Sequence, residues 1–181
     1  MNPLVQNFLL SSVVPAILFL LLMALVAILG VTRWRPTLLA LALAALAPRL
    51  LGVAILHQAL SREPFFFSAV FLQAIGNLMV NLSISTTTVG VFLALVLAAR
   101  AHSWGWFSVI LLAAILSTLT ANFAFSMYGL LVFDPAHARQ TYLEPGYFIF
   151  SNIIAGLDIL VILLFALLGP QTTAAVAPDA G

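Results

Sequence analysis

The feature that most constrains this chain is its shortage of charged side chains. Six arginines and five acidic residues are the only charged groups among 181 residues, and lysine is absent. A soluble domain of this size carries charge at about a quarter of its positions. Hydrophobic residues make up 64% of the chain, so its folded surface requires lipid rather than water as the main solvent. We therefore predict an all-α integral membrane protein, because helices satisfy every backbone hydrogen bond inside a bilayer.

Composition also excludes several classes of function. The formal net charge of +1 leaves no basic patch for nucleic acid. The absence of cysteine rules out disulfides, thiolate metal sites and cysteine nucleophiles. No glycine-rich phosphate loop predicts a nucleotide site. No acid or second histidine stands at ligand spacing from His57 or His137, so we predict no metal site.

The apolar segments predict a single bundle of about five transmembrane helices within residues 1–169. Each segment approaches or exceeds the roughly 20 residues that a spanning helix needs. The first is expected to be a retained span, since no positively charged region precedes it. Residues 170–181, rich in alanine, threonine and proline, are expected to form a disordered cytoplasmic tail. The predicted spans are residues 8–31, 36–60, 64–100, 104–133 and 147–169.

The third span leaves two helix counts open. A continuous helix of about 36 residues would be about 54 Å long, which is long for one upright span and short for two spans with a turn. No Gly-Pro or Asn-Gly breaker interrupts residues 83–88. One long, tilted or locally irregular helix is therefore preferred, and six spans remain the alternative.

The distribution of arginine and tryptophan predicts the orientation. With five spans, one side carries three arginines and all three tryptophans, and the other carries Arg62 and Arg139 with most of the acidic residues. Arginine next to a span favours the cytoplasm, and tryptophan favours the membrane interface. The N-terminus is thus expected outside and the C-terminus inside. The residues on the predicted cytoplasmic side are Arg33, Trp34, Arg35, Arg100, Trp104 and Trp106.

Two ionisable residues lie in the middle of predicted spans, Arg49 in the second and Asp158 in the fifth. A charge inside a bilayer is costly, usually faces the bundle interior and often marks function. Because their depths match, we predict that the two charges pair. Pro48 removes a backbone donor one turn after Ala44 and loosens the helix next to Arg49. The pair either serves as a structural link between two helices or contacts a ligand.

Neutral polar residues form stripes on the remaining predicted spans. Side chains four residues apart share one face of a helix, as Gln73, Asn77, Asn81 and Ser85 do. Such residues also join helices in membranes by hydrogen bonding, and that reading stays open for each of them. The predicted ligand-binding or buried polar cluster consists of Arg49, His57, Gln73, Asn77, Asn81, Asn122, Asn152 and Asp158.

The depth of these residues argues for a cavity. The whole cluster falls in the predicted outer half or near the midplane, whereas the inner halves of the spans, such as residues 40–47 and 91–99, are almost wholly apolar. Hydrogen bonding between helices gives no reason to avoid one leaflet. We therefore predict a polar cavity that opens outward above an apolar inner plug.

Two functions fit this pattern. The first is a non-enzymatic membrane protein that binds a small polar or amphipathic ligand from the outer side, as a small transporter or a membrane subunit of a transport system. The alternative is an accessory or structural subunit of a larger membrane complex, for example a bioenergetic one, whose polar stripes face partner helices or bind quinone, lipid or pigment. A non-enzymatic role is favoured because no pair of acids and no serine–histidine pair marks a catalytic site. The sequence indicates no particular cofactor. Besides the lipid bilayer, the expected partners are other membrane subunits or a second copy of the chain.

Overall fold

The computed structural model describes residues 13–29, 33–61, 67–133 and 152–170. Within these ranges the chain is helical apart from short turns, as the sequence predicts. Five helices follow in chain order: α1 (Val14–Leu29), α2 (Trp34–Ser61), α3 (Phe67–Arg100), α4 (Trp104–Phe133) and α5 (Leu157–Leu168). The predicted outer connection between the last two spans and residues 171–181 of the predicted tail lie outside the described residues.

Two of these helices are long and apolar enough to cross a membrane, over Trp34–Ile55 in α2 and Ala74–Arg100 in α3. Shorter apolar stretches occupy Val14–Ala24, Trp104–Thr120 and Asn152–Leu168. The large apolar side chains exposed on the described helices are mostly leucine and isoleucine, with some valine. An apolar surface over an apolar core is typical of a helix bundle in lipid.

The third predicted segment forms one continuous helix. Over its 34 residues, α3 extends about 51 Å, so no turn divides it into two spans. The hydroxyls of Thr86, Thr87 and Thr88 donate hydrogen bonds of 2.8 Å to the carbonyls four residues earlier. Because these hydroxyls bond to their own helix, three consecutive threonines are accommodated in an apolar setting without interrupting it.

Helix α3 lies at the centre of the bundle and packs against each of the other four helices. Helix α5 also packs against α2 and α4, so α2, α3, α4 and α5 enclose a common interior. Glycine permits the closest crossings. A Cβ atom at Gly52 of α2 would lie 3.0 Å from the carbonyl oxygen of Gly76 in α3, and one at Gly90 would lie 3.0 Å from Ile162 in α5.

An apolar core fills one end of this interior. Trp34 and Trp106 both pack on the ring of Phe165, with centroid distances of 5.6 and 5.4 Å. Arg35 donates a 2.9 Å hydrogen bond to the carbonyl of Gly169 and lies over the Trp34 ring. These contacts bring the starts of α2 and α4 to the end of α5. The remaining core residues are Leu38, Leu41, Ala42, Ala45, Val89, Leu93, Ala94, Leu97, Ala98, Ile110, Ile159, Ile162 and Ala166.

A tight turn joins α3 to α4 at the same end. His102 has a φ of 51°, a left-handed conformation in which most residues are strained. The amide of Ser103 donates to the carbonyl of Ala98, and the amide of His102 donates to that of Ala99. This pair of hydrogen bonds is the Schellman arrangement, which caps the carbonyl end of α3. The carbonyl of Ser103 then accepts the amide of Phe107 as α4 begins.

Candidate functional site

The last apolar segment is interrupted next to its acidic residue. Residues 152–154 are helical, Ala155 and Gly156 form a turn, and α5 begins at Leu157. The amide of Gly156 donates a hydrogen bond to the carbonyl of Ile153, three residues earlier rather than four. The carbonyl of Gly156 accepts a hydrogen bond from the amide of Leu160. The interruption therefore removes regular helical partners from several backbone groups and places Asp158 in the first turn of α5.

Helix α4 supplies the hydrogen-bond donor at this interruption. The buried hydroxyl of Ser117 donates a 2.8 Å hydrogen bond to the carbonyl of Ala155. It also lies within hydrogen-bonding reach of the Asp158 carboxylate. One carboxylate oxygen of Asp158 accepts the amide of Ile159 at 2.8 Å. Since backbone amides at a helix start favour negative charge, the first turn of α5 stabilises an acid here.

Helix α2 brings the opposite charge to the same place. Arg49 follows Pro48 inside the continuous helix α2 and is only 9% exposed. Its positive charge interacts electrostatically with Asp158. The Nε atom of Arg49 is buried without a hydrogen-bond acceptor in the described part of the chain, although the residue as a whole has interaction partners. Arg49 and Asp158 are thus near enough to interact inside the bundle, and the ion pair expected from their matching depths stays a prediction.

The two charged side chains line one pocket of about 150 Å³ between α2, α3, α4 and the start of α5. Its wall is rich in hydroxyl groups, and the apolar core continues from it through Ile159. The pocket therefore adjoins apolar packing on one side. Its other lining residues are Ser83, Ile84, Thr87, Thr88, Ser117, Thr118, Ala155 and Ile159.

This lining offers hydrogen-bonding groups and charge. Arg49 is a donor, Asp158 as a carboxylate is an acceptor, and a serine or threonine hydroxyl can serve as both. No group of three or more histidine or acidic side chains among the described residues could hold a metal ion. The arrangement suits reversible binding of a small molecule with polar groups.

Four of the other sequence-predicted residues are described, and none of the four is among the residues that line this pocket. His57 lies two turns beyond Arg49 on α2 and is exposed, while Asn77, Asn81 and Asn152 are half-buried off the pocket wall. Gln73 and Asn122 belong to α3 and α4, but their side chains lie outside the described part of the structure. Only Arg49 and Asp158 of the predicted cluster line the described pocket.

The residues that sequence reasoning missed are the hydroxyl-bearing side chains Ser83, Thr87 and Ser117. Ser83 and Thr87 are four residues apart and share a face of α3. Because successive helical residues are about 100° apart, Ser83 lies about 200° around the helix from Asn81. Asn81 and Ser85 of the predicted stripe therefore lie on roughly the opposite face. Two features of the sequence could have predicted this face: Ser83 and Thr87 are four residues apart, and they share a face of the helix with Gly90.

The exposed residues of the lining indicate where the pocket reaches the surface. The lining residues that are exposed, Ile84, Thr88 and Thr118, belong to α3 and α4. The deeper residues Arg49 and Ser117 are buried. Within the described residues, the pocket thus reaches the surface on the side of the bundle, between α3 and α4.

Comparisons of the chain with protein-family models, with curated proteins and with solved structures found no match. The geometry of the pocket is therefore the basis for assigning a role.

Proposed function

We propose that this chain is a non-enzymatic, multi-pass membrane protein that binds a small polar or amphipathic ligand between Arg49 and Asp158, as a small transporter or a membrane subunit of a transport system. The observation that carries the proposal is the pocket of about 150 Å³ on whose wall both charges lie. A structural ion pair alone would need no adjoining space, because cores are packed with few voids larger than a water molecule.

The interrupted helix beside the pocket supports the same role. Membrane transporters commonly bind substrates at breaks in helices, where backbone groups and helix ends face a cavity. Here the break at Ala155 and Gly156 stands next to Asp158. Ser117 holds the Ala155 carbonyl from the neighbouring helix. The site thus combines an interrupted helix with two ionisable side chains, both of which are rare inside a bilayer.

The accessory-subunit alternative places the polar side chains on surfaces that face partner helices. Arg49, Ser83 and Thr87 are instead buried inside this one chain, which favours a ligand site. The exposed pair His57 and Gln58 near the end of α2 is the described feature that best fits a partner surface. Neither residue lines the pocket.

The reactivity of two cysteines introduced on α3 tests the proposal. Ser83 on the pocket wall is 1% exposed, and Ala94 in the apolar core is 0% exposed. They lie eleven residues apart, which is close to three helical turns, so both are on one face. The variants Ser83→Cys and Ala94→Cys would be made singly, since the chain has no cysteine of its own, and treated with methyl methanethiosulfonate in mild detergent.

We expect the thiol of Ser83→Cys to react faster than that of Ala94→Cys by an order of magnitude or more, because a polar, open pocket admits the reagent and permits the reactive thiolate. Equal protection of both thiols would contradict a ligand pocket. The accessory-subunit alternative would then be the better account.

A further inference from the structure

We propose that the ligand is a membrane-dissolved amphiphile whose compact, uncharged head enters the pocket sideways between α3 and α4 while its apolar tail stays on the outer surface of the bundle. This inference rests on the proposed function and specifies its ligand class and route of access. It depends on where the pocket opens, what surrounds the opening, and which charges lie inside.

The opening lies on the apolar side surface of the bundle. Ile84 and Thr118 are exposed at the pocket mouth on α3 and α4. Large apolar side chains next to them along the same helices, including Phe92 and Leu119, are more than half exposed. In a spanning bundle such a surface contacts lipid tails. A ligand that reaches this mouth therefore comes from the lipid phase.

The charges inside the pocket set the charge of the head. Its described lining contains one arginine and one aspartate, so their formal charges cancel. A head with net charge would leave an uncompensated charge away from water, which is strongly unfavourable. An uncharged head preserves the balance.

The hydrogen-bonding groups define the head further. Arg49 can only donate, and the Asp158 carboxylate can only accept. The hydroxyls of Thr87 and Ser117 already donate to the carbonyls of Ser83 and Ala155, which leaves their oxygens as acceptors. The head must therefore contain both an acceptor and a donor, as a primary amide does.

The size of the pocket limits the head to a few atoms. A cavity of about 150 Å³ in another protein holds one benzene molecule, and this pocket has about the same volume. The head and its first methylene groups fill such a space. A longer tail has to remain outside, against the apolar surface next to the mouth.

Photolabelling of the full chain in lipid nanodiscs tests this route. The probe is dodecanamide with a diazirine at the third carbon, and labelled peptides are identified by mass spectrometry. We expect labels concentrated on residues 83–88 and 117–118. Excess dodecanamide should reduce this labelling more strongly than the same excess of dodecanoate or dodecylammonium does. Acetamide at the same concentration should leave it unchanged.

A variant that blocks the mouth provides the matched comparison. Ile84→Trp places a large ring at the mouth, whereas Leu20→Trp places one on an exposed site of α1 that is absent from the pocket lining. We expect Ile84→Trp to abolish the pocket labels and Leu20→Trp to preserve them. Both variants are first checked for unchanged thermal unfolding. If Ile84→Trp fails this check, Ile84→Phe takes its place.

The outcomes separate the inference from the proposed function. Competition by acetamide as strong as that by dodecanamide would overturn the lipid-phase route, and equal or stronger competition by either charged amphiphile would overturn the uncharged head. Labels scattered over the apolar surface would overturn the inference. In each of these cases a reactive thiol in Ser83→Cys leaves the proposed function standing. A protected thiol in that variant would overturn both.

Discussion

The hydroxyl of Ser117 in α4 donates a 2.8 Å hydrogen bond to the carbonyl of Ala155, 38 residues later and at the interruption before α5. The turn at Ala155 and Gly156 takes that carbonyl out of the regular helical pattern. A buried carbonyl without a partner is costly, so Ser117 stabilises the interruption that positions Asp158. The shape of the pocket thus depends on a contact between two helices distant in sequence.

Replacing Ser117 should therefore weaken the bundle. We expect Ser117→Ala to lower the free energy of unfolding by about 1–3 kcal/mol, the cost of leaving a buried polar group unpaired. Thermal unfolding in mild detergent measures the change. Ser108→Ala, at an exposed position of the same helix, is the control and should have little effect. Equal stability of the two variants would show that the hydrogen bond contributes nothing.

The close crossing of α2 and α3 predicts strict size limits at Gly52. A Cβ atom there would lie 3.0 Å from a backbone oxygen and from the side chains of Met79 and Val80. We expect Gly52→Ala to destabilise the protein by about 1–3 kcal/mol, as overpacking does. Gly105→Ala is the matched control, because a Cβ at Gly105 has no atom within 4 Å. A tolerated Gly52→Ala would mean that the two helices separate easily.

The end of α5 is held by Arg35, whose side chain bonds to Gly169 and lies over Trp34. A cation at the carbonyl end of a helix is favourable. We expect Arg35→Ala to lower the free energy of unfolding by about 1–2 kcal/mol. This is the contribution of a charge-assisted hydrogen bond, reduced because the side chain is partly exposed. Arg33→Ala, at a neighbouring exposed position, should change stability by less than half as much. Equal effects would count against the cap.

The helical class and several helix positions could be predicted from the sequence, because long apolar runs and few charges leave little choice. The single helix over Phe67–Arg100 follows from the absence of a breaker, and the start of α4 at Trp104 follows from the polar residues before it. The meeting of Arg49 and Asp158 at one pocket follows from their matching depths. These features depend on distance along a helix axis, which the sequence reports directly.

The rotation of each helix about its axis could not be predicted in the same way. The stripe containing Asn77 and Asn81 and the face containing Ser83 and Thr87 are both polar, and only packing decides which one meets α2, α4 and α5. Hydroxyls that bond to their own helix fit an interior face more easily than amide side chains do. The interruption at Ala155 could not be predicted either, because a single glycine such as Gly156 does not by itself end an apolar helix.

The measurement that tests the central claim most directly is a double-mutant cycle on Arg49 and Asp158, read as the free energy of unfolding in mild detergent. Each single replacement by leucine leaves the other charge away from water, so we expect each to cost about 3 kcal/mol or more. The double variant should be more stable than the less stable single variant, which requires a coupling free energy larger than the smaller single cost, about 3 kcal/mol or more. Additive costs, with a double variant worse than either single one, would contradict the claim that these two charges face each other across one pocket.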